Sequence, residues 1–449
     1  MNLLAPEVAW SVFTHPAHKE NAKRVEKLII MLRECRTPGD FHEFQGRLFH
    51  SLFAAEERRA QCNWIVRRME QGRRLPTTDR PPHPHSGDPT TIESWDLERY
   101  VYAQIARQLR SVGDALAWRC FNYDRRMIVA LSRSDPAGPL HEAKEGLGFE
   151  LGRIEQLWRD NGNFALLHDL TNCLRIGDLT EFTADNGRLL YEVKKQPGAH
   201  NTKKSKQLKR MQAAIDAIMN GGVLPGGQPD ARFVELTEPY VVNLKQLNDL
   251  LQLAKKHGRR GMRLPQGRAL VATSLPVTLR RWGQNPEEGQ RASESIRRRA
   301  IERAGIETAM HHLVGVSGDT AARSPTMAPW AIYPFSSEDC AALICNLLSF
   351  EAILSLNGLA DSLTKAGLHA EMLIPPGNGE LRGAKEVIRA HLNNNAITLH
   401  AEGLNVLLYE LLEPDVWARG IRETLTQPDI PAGPALIFSN EHGVWFQAR

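Results

Sequence analysis

Asp178, Glu192 and Lys194 are the residues of this chain whose types and spacing could do chemistry together. They fall in the stretch IGDLTEFTADNGRLLYEVKKQ, residues 176–196. Two carboxylates with a backbone carbonyl and water form an oxygen-rich site suited to Mg²⁺ or Mn²⁺, hard cations that keep several waters. A bound dication lowers the pKa of its water and neutralises charge building on phosphoryl oxygens. A lysine two residues beyond the glutamate can touch the attacking water or the phosphate. This is equipment for hydrolysing a phosphodiester. A second D…ExK pattern, Asp135 with Glu142-Ala143-Lys144, fails on context: its acid and lysine sit at an expected helix start and point in different directions.

The elements that must position these groups follow from patterning. RLLYEVKK alternates as a strand, so Glu192 and Lys194 share one side while Tyr191 and Val193 take the other. DLTEFTA predicts the paired strand carrying Asp178, and ADNG between them signals a hairpin turn. Upstream, RRMIVALSR predicts a strand, and HEAKEGLGFELGRIEQLWRDNG a helix that stops at Asn161-Gly162. Its apolar stripe is Leu147, Leu151, Ile154 and Trp158, and Glu150 falls inside that stripe. A carboxylate on a buried face needs a partner or a metal, which makes Glu150 a candidate and Glu155, at the stripe's edge, its substitute. Downstream, TKKSKQLKRMQAAIDAIMNGG predicts a helix with Lys203, Lys206, Gln207 and Arg210 on one face, opposite Leu208, Met211, Ile215 and Ile218. That basic face could meet phosphate. RFVELTEPYVVN follows as another strand.

Gly177-Asp178, thirteen intervening residues and Glu192-Val193-Lys194 resemble the PD-(D/E)xK, or restriction-endonuclease-like, nucleases. The resemblance covers the middle of the chain. It implies an α+β or α/β multidomain protein with a central αβββαβ core, flanked by a helical N-terminal region and a mixed α/β C-terminal region. It implies Asp178, Glu192 and the Val193 carbonyl as metal ligands, Lys194 as the catalytic lysine, and Glu150 as the helix acid that GFE places. Lys203, Lys206, Gln207 and Arg210 become nucleic-acid contacts, with DNA favoured over RNA by the resemblance alone. A homodimer or an accessory protein partner accords with such folds, as does a bacterial restriction or phage-defence effector. Gly177 stands where the family has proline.

The whole chain sets the frame. Its 449 residues suffice for several domains, and 42% hydrophobic residues exclude a disordered chain. Expected divisions are 1–121 helical, 122–245 nuclease-like, 246–300 a basic helical connector and 301–449 an α/β region in which 337–367 reads as one helix. Leu75–Thr91 is a proline-rich loop. A net charge of +4 does not by itself identify a nucleic-acid partner. The six scattered cysteines lack a C-x-x-C pair, and the start shows no signal-peptide pattern, so a cytoplasmic location is expected. No apolar run reaches a membrane span, so no membrane partner is expected. His168-Asp169 is taken as structural, and His83 and His85, which could catch a metal, as part of a disordered proline loop. His311 and His312, expected on different sides of a helix, carry no site, and Cys340 and Cys345 are packing residues. Two basic segments, Lys255–Arg263 and Ser295–Gly305, could line a groove or simply be solvated. The competing function is a catalytically silent nucleic-acid-binding or assembly module.

Overall fold

In the computed structural model, the described residues are 6–73, 84–132, 137–138, 140, 146–185, 187–193, 209–216, 233–235, 241–283, 285–306, 311–317, 327–374, 379–381, 386–426 and 437–439. Along the chain the helices are α1 (Pro6–Thr14), α2 (Pro16–Glu34), α3 (Pro38–Glu70), α4 (Ile92–Cys120), α5 (Arg125–Leu131), α6 (Leu147–Asn161), α7 (209–216), α8 (Leu244–His257), α9 (Leu275–Trp282), α10 (Pro286–Arg303), α11 (Ser337–Ile344), α12 (Leu356–Lys365), α13 (Asn405–Tyr409) and α14 (Pro414–Thr426). The strands are β1 (Phe164–Leu167), β2 (Leu179–Phe182), β3 (Arg188–Tyr191), β4 (Phe233–Glu235), β5 (Arg259–Leu264), β6 (Arg268–Ser274), β7 (His311–Val316), β8 (Leu348–Ser355), β9 (His369–Met372), β10 (Gly379–Glu380), β11 (Glu386–Leu392), β12 (Asn395–His400) and β13 (Ile437–Ser439). The architecture is mixed α/β, helical toward the N terminus and strand-rich in its middle and C-terminal parts. Chain contacts divide it into two units: Met1–Phe121 with Leu131–Gln212 and Pro329–Cys345, and Asn122–Ala130 with Ala213–Ala328 and Asn346–Arg449.

The first unit is built on α3 and α4. Their inward residues recur at three- and four-residue steps: Phe44, Leu48, Leu52, Ala55, Cys62 and Ile65 on α3, and Val101, Ile105, Leu109, Val112 and Leu116 on α4. Trp95, near the start of α4, packs with Cys62, Ile65 and Val66 near the end of α3, so the pair forms a hairpin. A capping box starts α3. Thr37 Oγ1 accepts from the Asp40 N–H, and the Asp40 carboxylate accepts from the Thr37 N–H at 2.8 Å. Against these helices lies the antiparallel sheet β1-β2-β3, preceded by α6 packed on β1. Helix α4 also grips the chain that leads into β2. Gly113 is so close to the Leu170 carbonyl that a Cβ there would lie 1.9 Å from it. The adjacent Asp114 carboxylate accepts from the Asn172 N–H, the Asn172 side chain and the Cys173 N–H at 2.6–2.9 Å. Burial pushes the Asp114 carboxyl up despite these donors.

The second unit contains the five-stranded sheet β10-β7-β8-β6-β5, parallel between β10 and β7 and antiparallel elsewhere. Ala269 and Val271 of β6 and Ile353 of β8 pack with Ala300 and Ile301 of α10. Leu270 and Ala272 alternate to the opposite face and are equally buried, and α8 also packs on β6. A smaller antiparallel sheet, β12-β11-β9, carries α14, while β4 and β13 form a parallel pair.

Several local expectations are corrected. Within RRMIVALSR, Arg125–Leu131 is helical as α5 rather than a strand. The stretch from 337 to 367, expected as one helix, is α11, strand β8 and α12, because a short apolar run such as 352–354 suits either a core strand or a core helix. The segment 246–300 is not purely helical: β5 and β6 lie inside it. The strand after α7 pairs with β13 and not with β1-β2-β3 among the described residues, so a complete αβββαβ sheet is not seen there. The order α6-β1-β2-β3 is present.

Candidate active site and metal centre

The β2–β3 hairpin forms where ADNG signals it. Leu179 pairs with Tyr191 and Phe182 with Arg188, and the Thr183 N–H donates to the Gly187 carbonyl at 3.0 Å. Asp178 stands at the open end of this hairpin, one residue before β2. Its N–H donates to the Tyr191 carbonyl at 2.8 Å, and its carboxylate accepts from the Val193 N–H at 2.7 Å. Asp178 and the Glu192-Val193 segment are thereby brought together across the hairpin. Gly177, just before the acid, has φ +76°, which proline cannot adopt. A Cβ at Gly177 would also stand 3.2 Å from the Tyr191 carbonyl, so glycine lets the two backbones approach.

Glu150 lies on the inward face of α6 with Leu147, Ile154 and Leu157, and is 5% exposed. Glu155 is exposed, with His42 Nε2 3.7 Å from its carboxylate. Gly162, at φ +65°, ends α6 as Asn161-Gly162 predicts. Arg210 is half-buried on α7, and Met211 of the same helix is buried. Lys194, Lys203, Lys206 and Gln207 lie outside the described residues, as does the decoy acid Asp135 with Glu142 and Lys144.

A further buried acid, Glu181, lies on β2 and accepts from the Asn163 side chain at 2.7 Å and from the Tyr191 hydroxyl. Burial opposes its ionisation, but these donors hold its carboxyl below the usual range. His168 is structural, as its sequence context suggests. It sits in a single-turn 3-10 helix after β1, donates from Nδ1 to the Gly177 carbonyl at 3.0 Å, and accepts at Nε2 from Thr180 at 2.7 Å. Burial pulls its pKa down to about 4.

Sequence patterning left a different cluster unassembled. His15, His85 and Glu98 each offer a donor atom, all within 4.8 Å of one another, and this group is capable of holding a metal ion. His15 is the residue before α2, His85 leads into α4, and Glu98 is on the second turn of α4. His15 Nε2 is 2.9 Å from one Glu98 oxygen and His85 Nδ1 is 2.8 Å from the other. The His85 N–H and the Arg58 guanidinium also donate to this carboxylate, at 3.0–3.2 Å. Burial alone would raise the Glu98 pKa, but bonds from His15, His85 and Arg58 outweigh it and hold it down at about 2. The legible signal was Glu98 itself, an acid in the stripe Trp95, Val101 and Ile105, the same argument that singles out Glu150.

The basic segments are partly spoken for. Within the second unit, Arg259 and Arg297 each reach Glu351 at 2.9 Å, so part of each segment makes internal ion pairs. His311 and His312 sit on β7, pointing to alternate faces of a strand rather than to sides of a helix. All six cysteines are free, and Cys340 and Cys345 are buried. Among the described residues no helix is long and apolar enough to cross a membrane. No family model, no curated protein and no solved structure matches the chain.

Proposed function

We propose that the chain is a Mg²⁺- or Mn²⁺-dependent phosphodiesterase that cleaves nucleic acid, DNA before RNA, with Asp178, Glu192 and Lys194 at its centre. The observation that carries this reading is the bond from the Val193 N–H to the Asp178 carboxylate at 2.7 Å, which holds the first acid against the Glu192-Val193 backbone. The donor set fits a hard cation, since every group offered is oxygen. Asp178, Glu192 and the Val193 carbonyl would hold the ion. When bound, it would acidify a water and offset charge on the phosphoryl oxygens. Lys194 orients that water or the scissile phosphate with its ammonium, and the Lys203, Lys206, Gln207 and Arg210 face positions the backbone of the substrate. Glu150, buried on α6, is the further acid on the helix that leads into the sheet. A role in restriction or phage defence is the biological setting we attach to this chemistry.

A second reading is favoured by the same bond. One Asp178 oxygen is already engaged by backbone, as in a residue that only closes the end of a hairpin, which suits a catalytically silent binding or assembly module. The decisive experiment incubates the protein with plasmid, linear duplex, single-stranded DNA and RNA, with Mg²⁺, Mn²⁺ or EDTA. Cleavage should need the metal and fall by roughly 100- to 1,000-fold or more in Lys194→Ala and Glu192→Gln, with folding intact. Cleavage surviving in both variants, or none of any substrate with either metal, refutes the hydrolytic reading. Binding without cleavage selects the silent module.

A further inference from the structure

We propose that His15, His85 and Glu98 bind one borderline divalent transition ion, Zn²⁺ foremost, and that this ion clamps three separate stretches of the helical unit together. The donor set decides the class of ion. Two imidazole nitrogens and one carboxylate suit Zn²⁺ and its neighbours, whereas Mg²⁺ and Ca²⁺ take shells of oxygen. This separates the site from the oxygen-only group around Asp178, and neither proposal depends on the other.

The geometry is close to what such an ion needs. The ring nitrogens stand 2.8 and 2.9 Å from the Glu98 oxygens. Around an ion bonded at about 2.1 Å, tetrahedral donors stand roughly 3.4 Å apart, so each ring has to draw back by only about half an ångström. His85 can supply much of that shift, because its side chain is 43% exposed, while His15 and Glu98 are fully buried. Arg58 donates to Glu98 Oε1 from Nε and Nη2 at 3.2 and 3.0 Å, the kind of outer hydrogen bonding that metal-ligating carboxylates have. A cleft of about 330 Å³, lined by Ser11, Thr14, His15, Ser86 and Ser94, opens beside His15.

The placement of the donors gives the ion its role. Glu98 is 83 residues from His15 and 13 from His85. One ion therefore joins the α1–α2 junction, the segment before α4, and α4 itself. Without an ion the same groups make a hydrogen-bonded cluster around the Glu98 carboxylate, which holds the three stretches through weaker contacts.

The test uses the 449-residue chain, stripped with EDTA and dialysed, then titrated with ZnCl₂ against a chromophoric chelator and with CoCl₂ by visible absorption. A single equivalent of Zn²⁺ should bind, Co²⁺ should give a visible d–d band, and the melting temperature should rise by roughly 5 °C with excess Zn²⁺. His85→Ala, at an exposed loop position, should keep the fold, weaken Zn²⁺ binding by at least about 100-fold and abolish the rise. Glu98→Gln serves as the second variant, with circular dichroism reporting on its fold. A wild-type protein that binds no Zn²⁺, or a folded His85→Ala that binds it as tightly, overturns the proposal.

Discussion

At the scale of single residues, burial decides which titratable groups matter. His168 is 2% exposed and has both ring nitrogens satisfied as a neutral ring, so protonation would break its bond from Thr180 and strand a charge in the core. Its folded pKa of about 4 lies below the ordinary 6.5. Above 6.5 both folded and unfolded states are neutral and the full stability is present. As pH falls from 6.5 toward 4 the unfolded chain takes the proton first, and stability is lost by about 3 kcal/mol on this group's account. His168→Gln should be less stable than the parent at neutral pH and should show a correspondingly flatter loss between about pH 7 and about pH 4. Urea midpoints measured for both proteins at each pH check this, and parallel curves would remove His168 as the cause. The candidate residues themselves were unevenly legible. Asp178 and Glu192-Val193 are 14 residues apart on one hairpin, and local turn chemistry suffices to bring them together. His15, His85 and Glu98 come from three elements, and no local rule links positions 83 residues apart.

At the scale of elements, the fit between α4 and the turn after β1 sets where β2 begins, and hence where Asp178 stands. Gly113 makes this fit possible, since the atom a Cβ would strike is a backbone oxygen that cannot rotate away. Gly113→Ala should therefore destabilise the protein by roughly 3 kcal/mol or more. Gly46 in α3 is the control: a Cβ there meets nothing within 4 Å, so Gly46→Ala should stabilise by about 0.5–1 kcal/mol through helix propensity alone. Equal effects in thermal melts of the two variants would contradict the close approach. The same contrast explains which elements patterning found. Amphipathic helices such as α3, α4 and α6, with one polar face, announce their period. Strand β8, between β7 and β6, alternates only over Leu348–Glu351 and is buried on both faces over 352–355, so half of it carries no period-2 signal. Helix α5, seven residues long, is too short for its period to outweigh its β-branched content.

At the scale of the whole molecule, chain order and packing order part company. The helical unit takes Pro329–Cys345 from late in the sequence, more than 100 residues after Gln212. That segment is not a passive addition. Arg33 on α2 donates to the carbonyls of Ala331, Tyr333 and Phe335 at 2.9–3.3 Å and to Ser337 Oγ at 3.3 Å, and α11 packs directly on α2. Trp330 and Tyr333, both buried, pack with tilted rings whose centroids are 4.6 Å apart beside these bonds. A fragment ending at residue 216 keeps every candidate catalytic residue but leaves the guanidinium of Arg33 without those acceptors, a deficit of about 1–3 kcal/mol from the hydrogen bonds. It also exposes the apolar surface that Trp330, Tyr333 and Phe335 cover. The fragment should be less soluble and melt below the intact chain. Restoring residues 329–345 through a flexible linker should recover the melting temperature, whereas appending the same residues with Trp330→Ser and Tyr333→Ser should not. A fragment 1–216 that melts like the intact chain would show that the late segment contributes nothing to this unit. Because the proposed hydrolytic centre rests on a hairpin inside that unit, cleavage by the fragment should fall and recover together with its melting temperature.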